Sequence, residues 1–138
     1  MTLLLSAAFA ATTYAVYNTS KSLPSTGRIS TINLSVYRDS GCTQTATDID
    51  WGTLTPGTSA TYTLYIKNAG NTAETLSMST SDWSPSTAAA YITITWNREN
   101  STLNANQVLQ ATLTITVSSS IASNITTFSN LITITGTI

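Results

Sequence analysis

The chain has 138 residues, enough for one packed domain and too few for two, and it carries five basic against six acidic residues and no histidine. A net charge of -1 leaves no basic footprint for nucleic acid, and a single cysteine excludes an internal disulfide framework or a multi-cysteine metal site. Threonine and serine supply 48 of the residues while apolar types make up 41%, so the chain is predicted to fold, with a surface polar through hydroxyls instead of charges.

Residues 2–17 form an apolar run, from Leu3, Leu4 and Leu5 through Phe9 to Val16 and Tyr17. It is about as long as a signal-peptide core and short for a membrane span, so no stable span is expected. No Lys or Arg precedes Lys21, which departs from the charged start of a signal peptide. Kept in the mature protein, such a run leaves a contiguous apolar patch in water unless something covers it, and a neighbouring subunit is the natural cover. Its first half favours helix through Leu and Ala, whereas Thr12–Tyr17 (TTYAVY) favours strand and contains no breaker. Asn18 to Gly27 (NTSKSLPSTG) is polar, includes Pro24, and reads as a linker. The expected division is an N-terminal apolar segment with its linker over 1–27 and a domain over 28–138.

From about Arg28 the apolar residues alternate. The runs are Ile32, Leu34 and Val36; Tyr62, Leu64 and Ile66; Leu76 and Met78; Ile92, Ile94 and Trp96; Leu109 to Val117 at every second position; and Phe128, Ile132 and Ile134. Period-two runs rich in Thr, Val, Ile and Tyr predict strands, and no ten-residue window carries a helical stripe. Thr55-Pro56-Gly57-Thr58 has the chemistry of a tight turn, and Asn68-Ala69-Gly70-Asn71 supplies residues that tolerate positive φ. Six short strands at this spacing predict an all-β fold, an antiparallel β-sandwich. Trp51, Trp83 and Trp96 are expected to pack in or beside its core.

Side chains that could carry chemistry are sparse. Without histidine there is no Ser-His or Cys-His pair, so no enzyme activity and no cofactor are expected. Asp48-Ile49-Asp50 places two carboxylates on one side of an extended segment, where a cation site is conceivable, but both fit a solvated loop better. Cys42 is expected to be a small, partly buried residue. Lys67 beside Asn68 raises a Lys-Asn isopeptide crosslink, against the ordinary reading of a solvated strand end. Asn-x-Ser/Thr triplets mark Asn18, Asn33, Asn100 and Asn124 as candidate N-glycan sites. Asn100 and Asn124 fall in predicted loops, whereas Asn33 is flanked by Ile32 and Leu34, both expected to face the core.

The edges of an open sandwich invite a strand from another chain. The Thr12–Tyr17 segment, on its Pro-containing linker, is suited to supply one. Repeated head to tail, such a contact does not close and gives a filament of identical subunits. The string ATTYAVYN at 11–18, then INLSV at 32–36, WGTLTPG at 51–57, YIKNAGN at 65–71 and ITITG at 132–136 resembles the TasA/camelysin-like biofilm fibre proteins, most closely their archaeal relatives, the bundling pilins. The likeness spans nearly the whole chain.

That resemblance implies a jelly-roll-like sandwich, secretion to the cell surface, and polymerisation by donor-strand complementation for adhesion and a biofilm matrix. It assigns roughly residues 1–20 as the donor, which adds Leu4 and Phe9 to Thr12, Tyr14, Val16 and Tyr17. Two other readings stand beside it. One is an archaeal type IV pilin-like subunit whose N-terminal run is a core helix, for which this run is short at about 1.5 Å per residue. The other is a secreted carbohydrate-binding module built on the tryptophans.

Overall fold

The computed structural model describes residues 20–30 and 32–138. The apolar segment and Asn18 therefore lie outside the described residues. Among those described, seven strands form two antiparallel sheets: β1 Leu34–Tyr37, β2 Ser59–Asn68, β3 Glu74–Ser84, β4 Ile92–Trp96, β5 Thr102–Leu103, β6 Val108–Val117 and β7 Ser129–Thr137. One sheet has the order β1-β2-β6-β4 and the other β5-β3-β7. The only helical piece among them is a 3₁₀ turn at Ser86–Ala90, which carries the chain from β3 to β4. The expected β-sandwich is the observed fold.

The alternation becomes burial. On β6 the inward residues Ala111, Leu113, Ile115 and Val117 are at most 4% exposed, and Leu64 and Ile66 of β2 and Ile92 of β4 are sealed similarly. Because side chains alternate, register fixes which of them meet. Leu64 stands opposite Ala111, Tyr62 opposite Leu113 and Ile94 opposite Ile115, so one continuous apolar face is presented to the second sheet. That sheet answers with Leu76 and Leu103, both fully buried. Each aliphatic side chain sealed this way contributes about 1.5–3 kcal/mol relative to exposure.

Several local expectations are corrected. The first strand begins at Leu34, not Ile32, and Ile32 is 55% exposed. The reason is pairing, since Leu34 is matched to Asn68 and β2 ends there, leaving Ile32 no rung. Phe128 precedes β7 and stacks on Trp83, with ring centroids 6.0 Å apart. β5 has no counterpart among the predicted strands because a two-residue strand has no period to read.

The turn after β2 also differs. The positive-φ residues of the described chain do not include Ala69, Gly70 or Asn71. The turn is organised by the Asn68 side chain, which is fully buried. Its Nδ2 donates to the carbonyls of Thr72 (2.7 Å) and Leu103 (3.2 Å), and its Oδ1 accepts from Gly70 N (2.8 Å). The Thr55–Thr58 turn matches expectation, with Gly57 at φ 79° and Thr58 N donating to Thr55 O at 3.1 Å.

At this same end of the sandwich the incoming chain is pinned to the body. Asn71 Nδ2 donates to Ile29 O (2.9 Å), Ala69 N to Asn33 O (2.8 Å), and Asn33 N to Glu74 Oε1 (3.3 Å). Glu74 is 1% exposed and lies against Gly136 of β7. A Cβ at Gly136 would sit 3.0 Å from Glu74 Cδ and 3.3 Å from its Cβ, and closer still to Oε2. A buried Glu74 has nowhere to swing. Gly136→Ala is therefore expected to lower the unfolding free energy by about 1–3 kcal/mol in urea titration. Adding Glu74→Ala should leave the double variant more stable than the sum of the two single effects.

Candidate functional site

The two long sides of the sandwich are finished differently. On the β4 and β5 side the gap between the sheets is closed by the 3₁₀ turn, whose Ala88 is fully buried, and by Glu99. Glu99 Oε2 accepts from the Trp96 indole (2.6 Å) on one sheet and from Met78 N (3.2 Å) on the other. Residues 100 and 101 bond the outer edge of β3 at Leu76. That side is bridged by side chains and backbone together.

On the opposite side β7 is an edge strand of nine residues, and among the described residues no strand pairs with its outer edge. Every second residue there points its N–H and C=O away from β3 with no ladder partner. The facing wall is the connection from β1 to β2. Residues 44–46 still pair with β1, through Arg38 N to Gln44 O (2.8 Å) and Ala46 N to Val36 O (2.9 Å). Beyond them, residues 47–51 belong to no strand and make no backbone–backbone hydrogen bond among the described residues, although the Asp48 carbonyl accepts from the Arg38 guanidinium (3.3 Å).

Between these two backbones lies a cleft of about 530 Å³, floored by Val36, Leu64, Ile132 and Ile134. A second cavity of about 580 Å³ continues it toward Pro56, Ile92 and Ile121, and Gly52 and Phe128 line both. The inward residues of β7 show the consequence. Ile132 and Ile134 are only partly buried, where their counterparts on β6 are sealed. Asn130 Nδ2, in the same wall, is closed off from solvent yet has no hydrogen-bond acceptor. An unmet buried donor of this kind costs about 1–3 kcal/mol. The cleft is apolar at its floor, edged by backbone on both flanks, and short of one acceptor.

The other candidates are placed as follows. Asp48 forms an ion pair with Arg38, and Asp50 accepts from Gly52 N (2.8 Å), so each carboxylate is engaged in its own loop. Among the described residues no three His, Cys, Asp or Glu side chains gather as a metal site. Cys42 is partly buried at φ 55°, in the turn after β1. Lys67 and Asn68 are consecutive on β2, so their side chains leave opposite faces, and the Asn68 amide is already fully used. That arrangement opposes a crosslink between the two.

Trp51 meets Tyr62 edge to face at 6.1 Å, Trp83 stacks on Phe128, and Trp96 donates to Glu99. All three indoles are partly buried and committed to neighbours. Asn100 and Asn124 are exposed, as loop positions should be, and so is Asn33, whose neighbour Ile32 faces solvent while Leu34 packs against the core. The donor residues Leu4, Phe9, Thr12, Tyr14, Val16 and Tyr17 lie outside the described residues. Comparison with known protein families, curated proteins and solved structures returns no match.

The cleft wall depends on a turn that a carboxylate ties. Asp39 accepts from Gln44 N (2.7 Å), from Thr43 N (3.0 and 3.2 Å) and from Thr43 Oγ1 (2.8 Å), which bends the chain back so that 44–46 can pair with β1. The Gln44 amide bond above all, with those from Thr43, holds the Asp39 carboxyl below its usual range, against the opposing effect of burial. A depressed folded-state pKa means the turn is stabilised above the unfolded value of about 3.9 and released as pH falls through the lower folded value. Acid titration followed by NMR should therefore show the Thr43 and Gln44 amides shifting together, with a midpoint below that of an ordinary aspartate.

Proposed function

We propose that this protein is the structural subunit of an extracellular filament of the biofilm-fibre and bundling-pilus kind, polymerising head to tail by donor-strand complementation. One observation carries the reading: among the described residues, β7 leaves a nine-residue edge unpaired beside an apolar cleft whose second flank makes no backbone–backbone hydrogen bond. A strand laid between them satisfies both backbones, covers Ile132 and Ile134, and brings carbonyls within reach of Asn130. The Thr12–Tyr17 segment has the β-branched and aromatic residues for that strand and no charge to desolvate.

The rest of the molecule fits a polymer subunit. Among the described residues, hydroxyls dominate the exposed strand faces, through Thr61 and Thr63 of β2, Thr93 and Thr95 of β4, and Thr133 and Thr135 of β7. With so little net charge, subunits do not repel one another on close packing. Exposed Asn33, Asn100 and Asn124 leave room for N-linked glycans on the outside of such a fibre. No catalytic role is assigned, and the filament's work is mechanical: adhesion and a biofilm matrix at the cell surface.

Electron cryo-microscopy of the full chain, of a version lacking residues 1–19, and of Ile134→Asp tests this. The full chain should form filaments with an added strand beside β7, whereas the other two stay monomeric while keeping the β-sheet circular dichroism of a folded sandwich. A central bundle of N-terminal helices would establish the type IV pilin-like arrangement instead. Monomers from the full chain would end the filament reading and turn attention to sugar binding.

A further inference from the structure

The strands give the sandwich two distinguishable ends. At one end lie Asn68, Glu74 and Thr137, and the incoming chain is tied there through Ile29 and Asn33. At the other lie Ser84, Ser129 and Phe128, with the 118–128 connection. β7 runs from the second end to the first, since Ser129 pairs with Ser84 and Thr137 with Thr75. Any N-terminal donor is therefore joined through its own C-terminal side to the tied end of its own body.

That polarity separates the two directions in which a donor can lie along β7. A donor parallel to β7 finishes at the acceptor's tied end, and its linker leads to the tied end of its own body. Two like ends then face each other, each tail can enter the other's cleft, and the contact closes as a pair. A donor antiparallel to β7 finishes at the Phe128 end, and its linker leads to the tied end of the next body. Unlike ends face each other, and the contact repeats without closing.

The linker is too short to evade this choice. With Ile29 and Asn33 held to the body, residues 18–28 are left to cross between subunits. Fully extended they reach about 36 Å at 3.3 Å per residue. The eleven residues of β3 give the sandwich about the same length. A parallel donor whose linker doubled back along the body would spend its whole reach on that path, with nothing left for the gap between subunits. Antiparallel pairing is also the mode that extends β3–β7 without change of pattern, and it is slightly more stable per residue.

We infer that residues 12–17 of one copy insert antiparallel to β7 of the next, so that Thr12 lies toward Thr137 and Tyr17 toward Ser129. The inference rests on the filament reading above and adds to it a direction, a register sense and the order of the ends. The Phe128 end of each subunit meets the tied end, at Asn68 and Glu74, of the one that feeds it. The polarity of the fibre follows from the same rule.

Cysteine pairs in the full chain, with Cys42→Ser as background, read this directly. Thr12→Cys and Thr13→Cys, of which one shares the outward face of Leu131 and Thr135, are each combined with Thr135→Cys or with Leu131→Cys. After mild oxidation of assembled protein, a non-reducing gel should show a ladder of covalent multimers for a Thr135→Cys combination and none for Leu131→Cys. A ladder from Leu131→Cys, or a covalent species that stops at two chains, would overturn the antiparallel direction. Filaments that form without any crosslink overturn it as well, by removing the donor from β7. A background chain that forms no filaments at all overturns the filament reading itself, and the two failures are told apart by that control.

Discussion

The sandwich is held by one repeated contact, an inward aliphatic on one sheet meeting an inward aliphatic on the other, and this contact is complete on one side of the molecule and interrupted on the other. Around β6 the alternation has neighbours on both flanks, so Leu113 and Ile115 are fully buried. Around β7 it has, among the described residues, a neighbour on one flank only. The same kind of residue, isoleucine at an inward position, is sealed at 115 and open at 132 and 134. Nothing in the chemistry of the side chains differs; among the described residues, the number of flanking strands does.

The asymmetry is built with polar groups as much as with apolar ones. Glu99 reaches both an indole and a backbone amide and so ties the sheets where they would otherwise gape. The Asn68 side chain replaces a positive-φ turn with three hydrogen bonds, and Glu74 beside it takes the amide of Asn33 and forces glycine at 136. These groups fix the end from which the linker departs. Two buried side-chain atoms have no hydrogen-bond partner among the described residues: Glu74 Oε2 at this end, and the Asn130 amide in the wall along the open edge of β7. Among the described residues, unmet backbone, an unmet amide and partly buried isoleucines coincide at one place.

Most of the fold was legible because a strand's side-chain period is two and the residues obey it. Tyr62, Leu64 and Ile66, Ile92 and Ile94, and the run from Leu109 to Val117 all stand where alternation put them. Legibility failed where the determinant is a partner. Ile32 continues the pattern of Leu34 and Val36 but has no rung to pair with, and β5 exists only because β3 lies beside it. Of the candidate site, Ile132 and Ile134 marked a strand, but not that it is an edge, nor the cleft. Its second wall, residues 46–52, has no periodic signal, and its position is set by the Asp39 turn and by Trp51 against Tyr62.

The sequence by itself determined that this chain is an all-β sandwich with a hydroxyl-rich, nearly neutral surface and few of the side chains used in catalysis. Those are consequences of composition and of a two-residue period, which local chain geometry reads without knowing where the chain goes. Only the tertiary structure decided which edge is left open, which loop faces it, and from which end the linker departs. Those depend on which strands pair and in what order, a matter of contacts between residues far apart in the chain. The pairing of Thr75 with Thr137 and of Asn33 with Glu74 is long-range, and so is the polarity that follows from it.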